Sequence, residues 1–350
     1  MAKPVKTAKT DIANIRVGVA GWSYPDWAGY VYPQRRPKGF HEATYLAQFF
    51  DTIEINTSFY APFRPEHAAQ WIERVAANPR FLFTAKLWQR FTHDVVPTAP
   101  PSLDDEKLVR AGFDVLRDAG RLGAVLLQFP FAFHYSAESV TYLLALLKRF
   151  ADYPLVVEVR HASWKADVFL ALLRERSVGF CNLDQPVIGR SLEPTAIATS
   201  SIGYVRLHGR RYDTWFSDDP ETPAHERYNY LYSLQELQPW ADRTREVAAA
   251  AGSFAQRAGA KAGSHAAGSR GGDASEAESR GAASRSDASD TPRSTYVVAN
   301  NHYLGKAAVN ALELISILKD SKVEVPEPLR QHYPELEAIA NRPAESPTLF

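Results

Sequence analysis

The chain has 350 residues, 45% of them hydrophobic and 23% charged, which is the composition of a soluble globular protein with one large domain or two smaller ones. Its 40 Lys and Arg residues balance its 40 Asp and Glu residues, which excludes a long-range electrostatic attraction to nucleic acid or anionic lipid. The single cysteine, Cys181, excludes an internal disulfide and a cysteine-rich zinc site, and its place inside a predicted strand indicates a core residue.

Eight stretches rich in β-branched and apolar residues predict β-strands. In chain order they are residues 15–20, 52–56, 81–86, 124–129, the first half of 155–164, 178–183, 203–208 and 295–300. Helical patterns lie between most of them, at about 41–50, 65–77, 102–119, 137–150 and 166–176, then from 234 and at 305–318. Pro65 suits the first position of a helix, and Ser102, followed by three acidic residues, predicts a helix N-cap.

The fifth strand shows where a site is expected. Val156, Glu158 and Arg160 share one face of it, because side chains alternate along a strand. That face starts apolar and becomes charged near the carboxyl end. The pattern is typical of a strand that is covered on both sides and carries a site at one end.

Other strands repeat the pattern, with a polar residue near the carboxyl end after apolar residues on the same parity. The polar residues are Glu54, Asn56, Lys86, Gln128, Glu158, Arg160, Arg206, His208 and Asn300. Alternation of strands and helices predicts a parallel sheet with helices outside, and eight units predict a closed TIM-type (β/α)8 barrel. A doubly wound open sheet is the alternative, but convergence of these side chains at one mouth favours the barrel.

Composition also predicts the domain boundaries. We expect a disordered tail at residues 1–12, one barrel domain at 13–320 and a proline-rich surface tail at 321–350. Within the barrel, residues 250–294 consist mainly of Ala, Gly, Ser, Arg and Asp with almost no large apolar side chain. Such a segment buries too little surface to offset its ordering entropy, so we expect a disordered insertion before the last strand.

Several motifs in order resemble a known family. They are GWSYPDWAGYVYP, TIEINTSFY, the segment 86–93, LLQFPFAF, VVEVRHASW, YVRLHGR and NNHYLGKAAVNA. The set resembles the YecE-like family, domain of unknown function 72, over about residues 15–318 apart from the low-complexity segment. The resemblance implies a TIM-type barrel and implies no reaction, because the family has no established activity.

The mixed charge of the mouth favours an enzyme that acts on an anionic or polyhydroxylated small substrate, with a hydrolase, an isomerase and a lyase all left open. Glu54, Glu158 and His208 are the candidates for general acid and base. The candidates for substrate binding are Asn56, Lys86, Gln128, Arg160, Arg206, Arg210, Asn300, Trp22 and Tyr60. Arg206 and Arg210 are predicted to form a two-guanidinium clamp on an anion, with Asn300 as an amide donor. The aromatic loop after the first strand, which contains Trp22, is either a substrate wall or a hydrophobic plug.

Three other interpretations stay open. The charged residues could form an internal ion-pair network without chemistry, although buried pairs are poor stabilisers. The barrel could bind a ligand without turnover. It could also bind nucleic acid and cleave it with a divalent metal, since aromatic loops and arginines suit unpaired bases. Zero net charge disfavours nucleic-acid binding. A metal would need ligands from among Glu54, Glu158, His93, His161 and His208, and no HxH or HExxH spacing supports such a site. No metal ligand is therefore assigned, and the cofactor stays unknown.

The sequence also bears on the compartment. Lys3, Lys6 and Lys9 are not followed by an apolar core, so no secretory signal is visible. No apolar run is long enough to span a bilayer, and no membrane partner is expected. We expect a cytoplasmic protein.

Overall fold

A computed structural model describes residues 12–94, 99–215, 223–267 and 294–341 of the chain. Eight parallel strands close into a barrel in sequence order, with the first strand paired to both the second and the eighth. The strands are β1 Ile15–Ala20, β2 Thr52–Ile55, β3 Leu82–Lys86, β4 Leu122–Gln128, β5 Leu155–Glu158, β6 Gly179–Asp184, β7 Gly203–Leu207 and β8 Thr295–Ala299. The predicted closed barrel is confirmed, and the doubly wound sheet is wrong.

Helices cover the outside of the barrel. They are α1 Glu42–Leu46, α2 Pro65–Arg74, α3 Leu103–Asp118, α4 Ala137–Arg149, α5 Asp167–Glu175, α6 Leu234–Ala267, α7 Lys306–Lys319 and α8 Glu327–His332. Pro65 begins α2 as predicted. The predicted cap of α3 is a reciprocal pair, because Asp105 N–H donates to Ser102 Oγ (3.1 Å) and Ser102 N–H donates to Asp105 Oδ2 (2.7 Å).

Alternation along the strands separates two apolar layers. Leu126, Val156, Cys181 and Tyr204 belong to the barrel interior. The opposite parity of the same strands, for example Val157 and Val205, joins the larger layer beneath the helices. Cys181 is fully buried, as its position in the strand predicted. The interior layer ends below the carboxyl ends of the strands, where the polar side chains begin.

The predicted start of the insertion at residue 250 is wrong, because α6 continues to Ala267. Ala251 and Ala255 of this helix are buried, and Ala251 packs with Val247 and Ala198. Small side chains bury little area each, but they allow a helix to lie close to its neighbours. The remainder of the expected insertion, 268–293, lies outside the described residues, as does the expected tail at 1–11.

The expected surface tail is also corrected for residues 321–341. Leu329 of α8 and Leu336 of the following 3-10 helix are fully buried, and Tyr333 Oη donates a hydrogen bond to the carbonyl of Leu304 (2.8 Å). These anchors hold the segment against the barrel. In the described ranges, no helix combines the length and the apolar character needed to cross a membrane.

Candidate functional site at the carboxyl-terminal mouth

Arg206 of β7 is the centre of the polar cluster at the mouth. Its Nη2 lies 2.7 Å from Glu54 Oε1 and its Nη1 lies 2.6 Å from Glu158 Oε2. Nη1 also donates to Gln128 Oε1 at 2.9 Å. The side chains of Arg206 and of both glutamates are fully buried. The alternation of β2, β4, β5 and β7 therefore brings these four residues together, as the sequence predicted.

Ion pairing keeps the centre of the cluster charged. Burial alone would raise the pKa of Glu158, but Arg206 and then Arg160 outweigh it and hold that pKa well below its usual value. Burial would lower the pKa of Arg206, but the two carboxylates raise it instead. Glu158 is thus a permanent carboxylate at neutral pH. It can accept hydrogen bonds, but it cannot serve as a proton donor.

Arg160 closes the cluster at the end of β5. Its Nε and Nη2 donate to Glu158 Oε1 at 3.1 and 2.9 Å, and 19% of its side chain stays exposed. The guanidinium carbon lies 5.8 Å from the ring centre of Trp215. The Arg160 side chain thus stays partly exposed, unlike that of Arg206.

Lys86, the last residue of β3, is a second cation at the mouth. Its Nζ lies 3.7 Å from Glu54 Oε1 and 5.4 Å from the ring centre of Phe59. Only 8% of the side chain is exposed. Burial and the nearby charge of Arg206 lower the pKa of Lys86 to about 8 against the opposing effect of Glu54. Lys86 therefore changes its proton state near physiological pH.

His208 is a neutral member of the cluster. Asn300 Nδ2 lies 3.0 Å from His208 Nδ1, and His208 Nε2 lies 3.7 Å from Glu158 Oε1. Burial, followed by the charge of Arg206, lowers the pKa of His208 to about 3. Arg206 Nη1 also lies 3.4 Å from His208 Nε2. His208 is suited to orient the carboxylate rather than to donate protons as a cation.

The predicted clamp of Arg206 and Arg210 is wrong. Arg210 Nε and Nη2 donate to the carboxylate of Asp184 at 2.9 and 3.1 Å, and Nη1 lies 3.3 Å from Glu236. β7 ends at Leu207, and Gly209 adopts a φ of 90°, which ends the alternation that would have kept residue 210 in phase with 206. Arg210 is therefore engaged by carboxylates outside the Arg206 cluster.

The remaining predicted residues divide between the rim and the outer layer. Asn56 Nδ2 is 3.4 Å from Tyr24 Oη, and its buried Oδ1 has no hydrogen-bond partner in the part of the chain that is described. Tyr60 is 67% exposed at the rim. The ring of Trp22 lies 5.3 Å from that of Trp71 in α2, between the barrel and the helices. Of the two roles expected for the loop after β1, the packing of Trp22 matches the hydrophobic plug.

Three residues near the site received no role in the favoured prediction. Tyr204 Oη lies 2.9 Å from both Glu54 Oε2 and Thr84 Oγ1, and its phase with Arg206 along β7 was a usable signal. His302 stacks on Tyr24 at 4.3 Å, and burial lowers its pKa to about 4. His93 follows β3, and burial and Arg160 lower its pKa to about 4. His302 and His93 lie on loops, where alternation gives no information about direction.

The metal alternative requires histidine and carboxylate ligands to converge on one point. His161 Nδ1 lies 2.8 Å from Ser163 Oγ, and its ring centre lies 4.1 Å from that of His134 with the planes tilted by 40°. Across the described ranges, no three His, Cys, Asp or Glu side chains come close enough together to hold a metal ion. The five residues named for a metal site therefore do not assemble as one ligand set.

Comparison with known proteins gives a family and a fold. No curated protein matches the chain. A crystal structure of a DUF72 family protein from Thermotoga maritima is 27% identical, with a TM-score of 0.65 over 87% of this chain and 99% of the other. One from Enterococcus faecalis V583 is 21% identical, with a TM-score of 0.64 over 87% and 95%, and supports the fold. The family described as Protein of unknown function DUF72 matches residues 16–334, so this chain belongs to that family, as its motifs predicted.

Proposed function

We propose that this barrel is an enzyme that acts on a small anionic or polyhydroxylated substrate at its carboxyl-terminal mouth. The charge of the buried cluster carries the proposal. Among the described residues of the cluster, Arg206, Lys86 and Arg160 bring three positive charges, and Glu54 and Glu158 bring two negative charges. Uncompensated charge in a low-dielectric interior is costly. A bound anion would complete the balance.

Arg160 and Lys86 are the cations suited to contact that anion. Their side chains are 19% and 8% exposed, whereas Arg206 is fully buried and both of its terminal nitrogens are used by protein acceptors. A guanidinium donates readily to carboxylate or phosphate oxygens. Asn56 Oδ1, which accepts no hydrogen bond from any described residue, adds an acceptor that suits a substrate hydroxyl.

Lys86 and Glu54 are the best pair for moving a proton. Lys86 has a pKa of about 8, so it can give or take a proton near neutral pH, and Glu54 Oε1 is 3.7 Å from its Nζ. Glu158, kept ionised by two arginines, and His208, kept neutral by burial, suit a positioning role better than the acid and base roles first assigned to them.

Titration calorimetry with phosphate, sulfate and acetate tests the binding step. We expect one site in the wild type, and Arg160→Met should weaken it about tenfold or more because a charge-assisted hydrogen bond is lost. Lys107→Met is the matched control, since the Lys107 side chain is 76% exposed on α3. We also expect affinity to fall as pH rises through about 8, where Lys86 loses its proton. Absence of binding by any of these anions contradicts the proposal.

Turnover needs a separate measurement. The wild type is incubated with a panel of phosphorylated and carboxylated sugars, and loss of each compound is followed by proton NMR. Lys86→Met should abolish any conversion, and Lys107→Met should retain it. If anions bind with the expected Arg160 dependence but no compound is converted, the chain is a ligand-binding barrel and the catalytic part of the proposal is wrong.

A further inference from the structure

The backbone of Lys86 is held firmly, whereas its amine is not. Lys86 N–H donates to Ser58 Oγ (2.9 Å), and Ser58 Oγ donates to the carbonyl of Ile55 (2.6 Å). These bonds tie the end of β3 to the loop after β2. Within the described ranges, Nζ makes no hydrogen bond and has the 3.7 Å contact with Glu54 as its ion pair. A buried ammonium normally donates its N–H groups to hydrogen-bond acceptors. The amine of Lys86 is therefore available to contact a bound substrate.

The surroundings of Nζ are charged on several sides. Glu54 from β2 and Phe59 from the next loop lie beside it, at 3.7 Å and 5.4 Å. The charged and titratable groups whose fields reach Lys86 from the other elements are Arg206, Glu158, Arg160, His93 and His302. Two arginines therefore oppose the protonated amine, and Arg160 is also placed to hold an anionic group nearby.

We propose that Lys86 Nζ attacks the carbonyl carbon of a small anionic aldehyde or ketone and holds it as a Schiff base at the barrel mouth. This inference rests on the proposed function, because the same mouth and the same anion contact are used. It deepens that function by giving the substrate a second required group, a carbonyl, next to its carboxylate or phosphate.

The step balances with the groups present. Glu54 takes one proton from the Lys86 ammonium, and the free amine forms the nitrogen–carbon bond as the carbonyl π electrons move to oxygen. The carbon–oxygen bond then breaks, and the oxygen leaves as water with the two protons that the nitrogen gives up, one of them returned by Glu54. The iminium product carries the same positive charge as the original ammonium, so the charge beside Glu54 is unchanged.

Burial supports this chemistry because it lowers the pKa of Lys86 and so increases the fraction of unprotonated amine. With a pKa lowered to about 8, about a tenth of Lys86 is unprotonated at pH 7, against about four parts in ten thousand for an exposed lysine. A less basic amine is also a weaker nucleophile, which offsets part of the gain. The net expectation is a rate advantage on the order of tenfold over an exposed lysine.

Reductive trapping tests the inference on the intact protein. The wild type is incubated with pyruvate and sodium cyanoborohydride at pH 7, and modified lysines are located by peptide mass spectrometry. We expect Lys86 to be modified on the order of tenfold faster than Lys107, whose side chain is 76% exposed. Modification of Lys86 no faster than Lys107 overturns the inference, and this comparison needs no variant to fold.

Two controls separate the inference from the proposed function. Arg160→Met should slow labelling of Lys86 by pyruvate but not by acetone, which has the carbonyl without the carboxylate. Sulfate should protect Lys86 from pyruvate if both use the mouth. If calorimetry shows anion binding and no adduct forms at Lys86, the Schiff base is wrong and the proposed function stands. If neither anion binding nor an adduct is found, both are wrong.

Discussion

Two ion-pair networks in this molecule have similar geometry and different surroundings. At the mouth, Arg206 lies 2.7 Å from Glu54 and 2.6 Å from Glu158, and all three side chains are fully buried. On the outer surface, Arg110 of α3 lies 2.6 Å from Glu106 and 2.7 Å from Asp152.

The outer side chains keep 17–45% of their surface exposed. Water and salt therefore screen the outer network, whereas the inner one depends entirely on its own partners. Distance alone thus does not reveal which network the fold depends on. The burial of the charged side chains decides it.

Removal of the central cation should have the largest effect. Arg206→Met removes the guanidinium that two buried carboxylates share and leaves Glu158 with Arg160 and Glu54 with the more distant Lys86. We expect a loss of about 3–5 kcal/mol in the free energy of unfolding, measured with urea. The companion change Glu158→Gln should recover part of the lost unfolding free energy, because it removes one of the two carboxylates that no longer contact Arg206. A loss below about 1 kcal/mol would mean that the carboxylates find other partners or water.

The buried amine of Lys86 should make the free energy of unfolding depend on pH. The pKa of Lys86 falls from 10.5 to about 8 on folding, so the unfolded chain binds more protons than the folded chain between these values. The stability of the wild type relative to Lys86→Met should therefore rise across this window, by roughly 2–3 kcal/mol in total. Urea unfolding at about pH 7, 9 and 10.5 measures the difference. A difference that is flat with pH would contradict a lowered pKa.

The outer network should give the smallest effect. Arg110→Met should cost at most about 1 kcal/mol, and sodium chloride at about 1 M should remove most of the difference because it screens exposed charges. The same salt concentration should leave the decrease in unfolding free energy caused by Arg206→Met nearly unchanged. Equal salt sensitivity of the two variants would show that the mouth is wetter than its burial indicates.

Side-chain alternation explains how much of the site was predictable. In a strand, a period of two assigns each residue to one face, so Glu54, Glu158 and Arg206 could be assigned to one interior from sequence alone. The rule fails where the strand ends. Arg210 and Trp22 follow strands on loops, and neither lies beside Arg206.

Local sequence patterns alone predict the eight strands, their alternation with helices, the buried position of Cys181 and the shared interior face of Glu54, Glu158 and Arg206. These features depend on local patterns of side chains along each segment. Three features depend on the tertiary structure: Arg206 binds two carboxylates at once, Asp184 binds Arg210, and the alanine-rich part of α6 packs against Ala198. These choices depend on distances across a closed barrel and on the direction of turns such as that at Gly209, which no local pattern encodes.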